Sequence, residues 1–326
     1  MLNLTVRRSL LLVTVVIASL AQVQSLVAEE LLVVDRLTNS VYRYGTNGSF
    51  LGTLLTDSTN LNQPDGLVVS PDHSKLYVAS SQNNVVVRYD YDYANGTATN
   101  ATVFATAANG LQFPNSMKFS SDGSVLYVAN LGGSGITKLN LSGGNAGANI
   151  SGGTSTGFSG LDYAPSGALL AGGFDGGTVA KSDTALTAMA DFVGPSATLQ
   201  GAAGLLVDGN DLYVTSLFTG QVQKFNATTG AVDASFNVGG LAFPQQVLTA
   251  PDGNELLVGI LGVAAGAGNI SRYSKTGAFL GVFAASGSGF TEATAFIAVP
   301  EPSSCVLAAC AVATLLLVAR RRVGSR

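Results

Sequence analysis

The chain has 326 residues, 47% of them hydrophobic and 11% charged, with 40 glycines and no tryptophan. That balance excludes a disordered chain and favours tightly turned β structure over helices. The formal net charge of −4 conceals an acidic body: Arg7, Arg8, Arg320, Arg321, Arg322 and Arg326 lie at the ends, and residues 29–299 hold 10 basic and 19 acidic side chains, which excludes nucleic acid as a partner. Both cysteines, Cys305 and Cys310, fall in an apolar C-terminal run, so the body has no disulfide framework, thiol chemistry or cysteine zinc site.

Residues 1–28 read as a secretory signal peptide. Arg7-Arg8 precedes an apolar stretch from Leu10 to Leu20, and small residues follow. Cleavage after Ala21 or after Ala28 both fit, and the paired arginines leave general secretion and twin-arginine export open.

From residue 29 to 299 the chain repeats. A basic residue closes a short β-branched run at Arg43, Arg88, Lys138, Lys181, Lys224 and Arg272, spaced by 45, 50, 43, 43 and 48 residues. Turn pairs such as Pro71-Asp72, Asp122-Gly123, Asp208-Gly209 and Asp252-Gly253 precede Leu76-Tyr77-Val78, Leu126-Tyr127-Val128, Leu212-Tyr213-Val214 and Leu256-Leu257-Val258. Each unit therefore reads as four strands, an array that cannot bury its faces without neighbours. The basic residue is expected on a solvent-facing edge, and the aromatic after it (Tyr44, Tyr89, Phe225, Tyr273) between units.

The first unit opens at Leu31 with no inner strand, and the last segment, Ala293 to Val299, is an inner strand with nothing after it. Pairing the two closes a ring and removes free sheet edges. The expected fold is all-β: a six-bladed β-propeller closed by N- and C-terminal strands, flanked by the signal helix and a short C-terminal transmembrane helix. Its blades are 293–299 with 31–55, then about 61–106, 111–153, 157–194, 199–240 and 241–286.

These turn-and-strand units resemble those of NHL-repeat and regucalcin/gluconolactonase-like six-bladed propellers. Residues just before each inner strand tend to face the channel, and here they are Glu292, Asp65, Asn115, Ser159, Ala203 and Gln245. Glu292, Asp65 and Asn115 are the candidate metal ligands, because two carboxylates and an amide oxygen suit a hard divalent cation such as Ca2+. The resemblance implies a comparable Glu, Asn and Asp set beside a substrate, but Ser159 and Ala203 stand where further ligands would be expected. The alternative is that these side chains cap turns or hold channel water. His73, the single histidine, sits in a surface turn, and no nucleophile elbow, phosphate loop or His-Glu-x-x-His motif occurs. No catalytic residue is assigned.

Residues 300–326 carry Pro300-Glu301-Pro302, an apolar stretch at 305–319 and Arg320-Arg321-Arg322. At 1.5 Å per residue the apolar run spans about 22 Å, short of a hydrocarbon core of about 30 Å, with the arginines as a stop-transfer signal held on the cytoplasmic side. This order resembles the PEP-CTERM sorting signal of Gram-negative bacteria. The resemblance implies an exosortase-type processing enzyme as partner, an inner-membrane intermediate, and delivery to the cell surface or extracellular matrix. The expected function is a binding or structural module there, in contact with exopolysaccharide or another surface protein; the alternative is a metal-dependent, lactonase-like hydrolase using the channel.

Overall fold

The Leu-Tyr-Val runs become strands because β-branched and aromatic side chains fill a pleated surface that is covered on both sides. In such a run nearly every residue is buried, as in Lys75–Ser80 and Val125–Asn130, whereas a half-solvated strand would alternate. The computed structural model describes residues 30–262, 267–285 and 293–299. Segments 1–28 and 300–326, and with them Pro300, Glu301, Pro302, Arg320, Arg321, Arg322 and the apolar run 305–319, lie outside the described residues, as does Glu292.

Blade 1 contains β1 (Glu30–Asp35), β2 (Ser40–Gly45) and β3 (Phe50–Thr56), and blade 2 contains β4 (Pro64–Val69), β5 (Lys75–Ser80), β6 (Val85–Asp92) and β7 (Thr97–Ala105). Blade 3 has β8 (Pro114–Phe119), β9 (Val125–Asn130) and β10 (Ile136–Asn140). Blade 4 has β11 (Phe158–Tyr163), β12 (Leu169–Gly173), β13 (Thr178–Ser182) and β14 (Met189–Val193). Blade 5 has β15 (Ala202–Asp208), β16 (Asp211–Ser216) and β17 (Gln221–Asn226), and blade 6 has β18 (Pro244–Thr249), β19 (Glu255–Ile260), β20 (Asn269–Ser274) and β21 (Phe279–Ala285). The last strand, β22 (Ala293–Val299), hydrogen-bonds to β1, giving the sheet order β22-β1-β2-β3. The two ends of the body do share a sheet, as their complementary gaps predict.

Blades 3 and 5 differ from the four-strand expectation. Their outer strands shrink to isolated bridges, Ile136 to Ile150 and Leu139 to Asn145 in one, Val222 to Val238 and Phe225 to Val232 in the other. The segments responsible, Ser142-Gly143-Gly144 and Gly230 through Gly239-Gly240, are rich in glycine, which weakens a strand by its backbone entropy and offers no side chain to pack.

Six clusters of buried apolar side chains hold the ring, and each spans two consecutive blades. The one that closes the circle joins Leu31, Val33, Tyr42 and Tyr44 of blade 1 to Leu257, Ile270 and Phe283 of blade 6. Tyr89, Phe225 and Tyr273 likewise sit in clusters between blades, so the aromatic after each basic residue packs inward as its position suggests. Each large side chain so buried contributes about 1.5–3 kcal/mol of transfer free energy, and the total is spread around the circle. The ring is one compact unit, Leu31–Val299.

The repeated basic residues do more than keep an edge soluble. Arg88 lies 5.5 Å from the Phe104 ring centre and Lys181 5.0 Å from that of Phe192, both cation–π contacts onto the outer strand of the same blade. Lys224 is 17% exposed and lies between Asp211 at 3.0 Å and Asp233 at 3.4 Å. Arg272 forms a two-pronged pair with Glu255, both bonds 2.7 Å. Their aliphatic stems cover the third strand while the charge reaches a local partner.

Candidate functional site

The sequence places the channel residues just before the inner strands; the structure places those it describes one step inside them. Asp65, Asn115, Ser159, Ala203 and Gln245 are each the second residue of their strand. In each strand the register shifts there, between Pro64 and Gly66, Pro114 and Met117, Phe158 and Leu161, Ala202 and Leu205, Pro244 and Val247. A bulge bends the strand and re-aims its side chains, so five blades repeat one device around the channel. The channel itself, about 480 Å³, is lined by Asp65 and Asn115 together with Lys118, Asp162, Gln246 and Ile297 among others.

Neighbouring inner strands approach closely at this ring. A methyl group on Gly66 would lie 1.8 Å from the backbone oxygen of Asn115, one on Gly160 2.4 Å from that of Ala203, and one on Gly204 2.5 Å from that of Gln245. Only glycine allows such proximity. Side chains then bond from one blade to the next: Ser159 Oγ donates to Asn115 Oδ1 at 3.1 Å, and Thr215 Oγ1 donates to the Gln245 carbonyl at 2.9 Å while accepting from Gly204 N at 2.6 Å.

Asp65 is 8% exposed. Burial pushes its carboxyl above the usual carboxylate range; the Arg36 guanidinium and then the Ser81 hydroxyl pull against that rise. Arg36 Nε stands 3.9 Å from Asp65 Oδ1, and its Nη2 donates to Gln63 Oε1 at 2.8 Å. Sequence reasoning missed Arg36, which lies in the turn directly after β1 and reaches the next blade. It also missed a second polar set farther along the channel, where Lys118 Nζ is 2.7 Å from Asp162 Oδ1 and Val207 N donates to Asp162 Oδ2 at 2.7 Å. A lysine inside an inner strand with an aspartate one repeat later, 44 residues on, was the available signal.

Of the three proposed ligands, the structure brings Asp65 and Asn115 to one channel, and Glu292 is outside the described residues. The two it describes supply by themselves only part of what a calcium ion takes. Such an ion takes six to eight oxygens, whereas Asp65 faces a guanidinium and the Asn115 oxygen already accepts from Ser159. Among the described residues no group of three His, Cys, Asp or Glu side chains is gathered for a metal.

The mouth at the Asp65 end carries a different feature. The residue before the inner strand sits in the left-handed region in four blades, at Gln63 (φ 51°), Phe113 (φ 49°), Gly201 (φ 66°) and Phe243 (φ 59°). Glycine meets that requirement freely in blade 5, whereas a bulky side chain there costs of order 1–2 kcal/mol. Phe113 and Phe243 are nonetheless 41% exposed each, with Leu37 at 46% and Phe218 at 59% in loops at the same end.

A six-bladed ring with polar groups at its inner bulges has known counterparts. Residues 28–163 match the SMP-30/Gluconolactonase/LRE-like region. Among solved structures, the chain is similar to a chain of the nidogen/laminin complex, with a TM-score of 0.63 at 13% identity, covering 83% of this chain and 98% of that one. It is also similar to a putative 6-phosphogluconolactonase from Bacteroides fragilis, with a TM-score of 0.58 at 16% identity and coverage of 83% and 98%. A streptogramin B lyase structure gives 0.52 at 18% identity, covering 69% and 70% of the two chains. At these identities the likeness establishes the fold. No curated protein matches the chain.

Proposed function

We propose that this gluconolactonase-like propeller is an exported binding module that takes its ligand at the mouth of the channel. The observation that carries the reading is the pair Phe113 and Phe243. Both hold a left-handed backbone that glycine fills in blade 5, and both present their rings to solvent instead of burying them. Strain kept at an exposed aromatic is retained for contact, since folding alone would favour a smaller residue. The channel groups behind them largely engage one another, Ser159 and Asn115 and Thr215 and the Gln245 carbonyl by hydrogen bonds and Arg36 and Asp65 as an ion pair, which suits a rigid scaffold. The working site is the cell surface or exopolysaccharide matrix, reached through the signal peptide and an exosortase acting on Pro300-Glu301-Pro302.

The test measures retention of the purified protein on extracellular polymer of the producing cells. F113A/F243A is expected to lose retention while keeping its melting temperature; equal retention would remove the mouth from the binding account. For the tail, alanines at Pro300, Glu301 and Pro302 are expected to hold the protein in the inner membrane, and release equal to the parent's would exclude sorting through that motif.

A second reading, a lactonase-like hydrolase, is favoured by the match over residues 28–163. It would use Asp65 and Asn115, and lactone hydrolysis abolished by D65A and N115A would place it first. Calorimetric titration with Ca2+ gives a separate readout. Heat of binding that disappears in D65A would restore the metal centre.

A further inference from the structure

The outer strands of blades 1 and 6 carry the same motif. Arg43-Tyr44 leads to Gly48-Ser49-Phe50-Leu51-Gly52, and Arg272-Tyr273 leads at the same spacing to Gly277-Ala278-Phe279-Leu280-Gly281. Phe-Leu-Gly occurs nowhere else in the chain. In both copies the phenylalanine rests on the tyrosine before it, with ring centres 5.5 Å apart for Tyr44 and Phe50 and 5.5 Å for Tyr273 and Phe279. The far side of each stays in water. Phe50 is 45% exposed, Leu51 51%, Phe279 60%, Leu280 46% and Val282 52%.

The two copies form one patch. Blades 1 and 6 are neighbours in the ring, and Gly48 comes so near blade 6 that a methyl group on it would lie 2.0 Å from the Phe283 oxygen. β3 and β21 are the edges of their sheets and contain no charged residue. Lysines, prolines or inward charges normally protect an exposed edge, and none does so here. The corresponding strand of blade 2, β7, is mostly threonine, alanine and asparagine.

We propose that this rim is the interface through which two copies of the chain pair, β3 of one lying against β21 of the other across a two-fold axis. A repeated motif on adjacent blades makes the surface self-complementary, because a two-fold axis running between the blades sets each Phe-Leu-Gly against its repeat in the second copy. The area is adequate. The five apolar side chains expose roughly 500 Å² per copy, so about 1,000 Å² for a pair, and the adjoining backbone edge brings the total into the range of a specific, modest interface. An uncharged, apolar face at a sheet edge is complemented by another such face, and the chain supplies one itself.

The test is the mass of the purified full-length chain by light scattering and sedimentation, over a concentration series. The parent is expected at twice the chain mass, and L51K/L280K at the monomer mass, with the dissociation constant raised roughly tenfold or more. L141K, a lysine at an exposed apolar position in the turn after β10 of blade 3, a blade that adjoins neither blade 1 nor blade 6, is expected to remain dimeric. Circular dichroism melting shows that each variant is folded; if the double variant is not, L51K and L280K singly are read in the same way. A monomeric parent, a dimeric L51K/L280K, or equal dissociation by L141K would each overturn the proposal.

Discussion

His73 shows how much a single backbone angle decides. It has φ 59° in the turn before β5, where the matching residues of blades 3 to 6 are Gly123, Gly167, Gly209 and Gly253 with φ from 60° to 83°. A histidine in that region strains its Cβ, and its Nδ1 is buried without a hydrogen-bond partner. His73→Gly is therefore expected to stabilise the protein by about 0.5–1 kcal/mol despite the entropy that glycine adds to the unfolded chain, read as a higher Tm. Asp65 offers the electrostatic counterpart. Its folded pKa is raised, so ionising it costs more in the native state than in the unfolded chain. Asp65→Asn is expected to melt no lower than the parent at pH 7, and the parent should gain on the variant as the pH falls through the folded and then the unfolded pKa of Asp65. Equal differences in Tm across that range would show that burial does not govern this carboxyl.

At the level of strands, the inner ring is where packing is least forgiving. Gly66→Ala places a methyl group within 1.8 Å of the Asn115 backbone oxygen, so β4 and β8 must separate. The expected cost is about 2–4 kcal/mol, measured as a lower urea midpoint at unchanged slope. Period and turn chemistry made the strands legible: Leu76-Tyr77-Val78 and Leu126-Tyr127-Val128 lie within β5 and β9, and β22 joins β1 as the missing inner strand requires. The weak outer strands of blades 3 and 5 were harder to read, because glycine-rich segments give no periodic signal either way. The site was legible only as a set of positions. Alignment on Asp65-Gly66 picked out the positions where five inner strands bulge, but Arg36 arrives from a turn in another blade, and no local pattern announces a contact across 29 residues of sequence. The sequence also gives no direct sign that Phe113 and Phe243 take a left-handed angle, since a residue before proline ordinarily prefers an extended one.

Across the whole molecule, acidity should act through the turns. Asp72, Asp122, Asp183 and Asp233 accept bonds first from serine or threonine hydroxyls and then from backbone N–H groups, which hold all four below the ordinary carboxylate value. Asp122 is brought down to about 2 from 3.8. A depressed native pKa supplies stability that is complete above the unfolded value and is lost as the pH falls through the native one. The protein is thus expected to keep its Tm down to about pH 4 and to lose it progressively toward pH 2, where Asp122 titrates. A Tm that stays flat across that window would show these bonds to be energetically idle.

The union of β22 with β1 also sets an order on manufacture. Leu32 and Val33 leave the ribosome early, yet the strand that covers their open flank, residues 293–299, is translated after the other strands. Until then the nascent polypeptide keeps one unsaturated seam and cannot lock. A product terminated before codon 293 would retain that seam permanently, and quality-control proteases could tell it from the finished article by this alone.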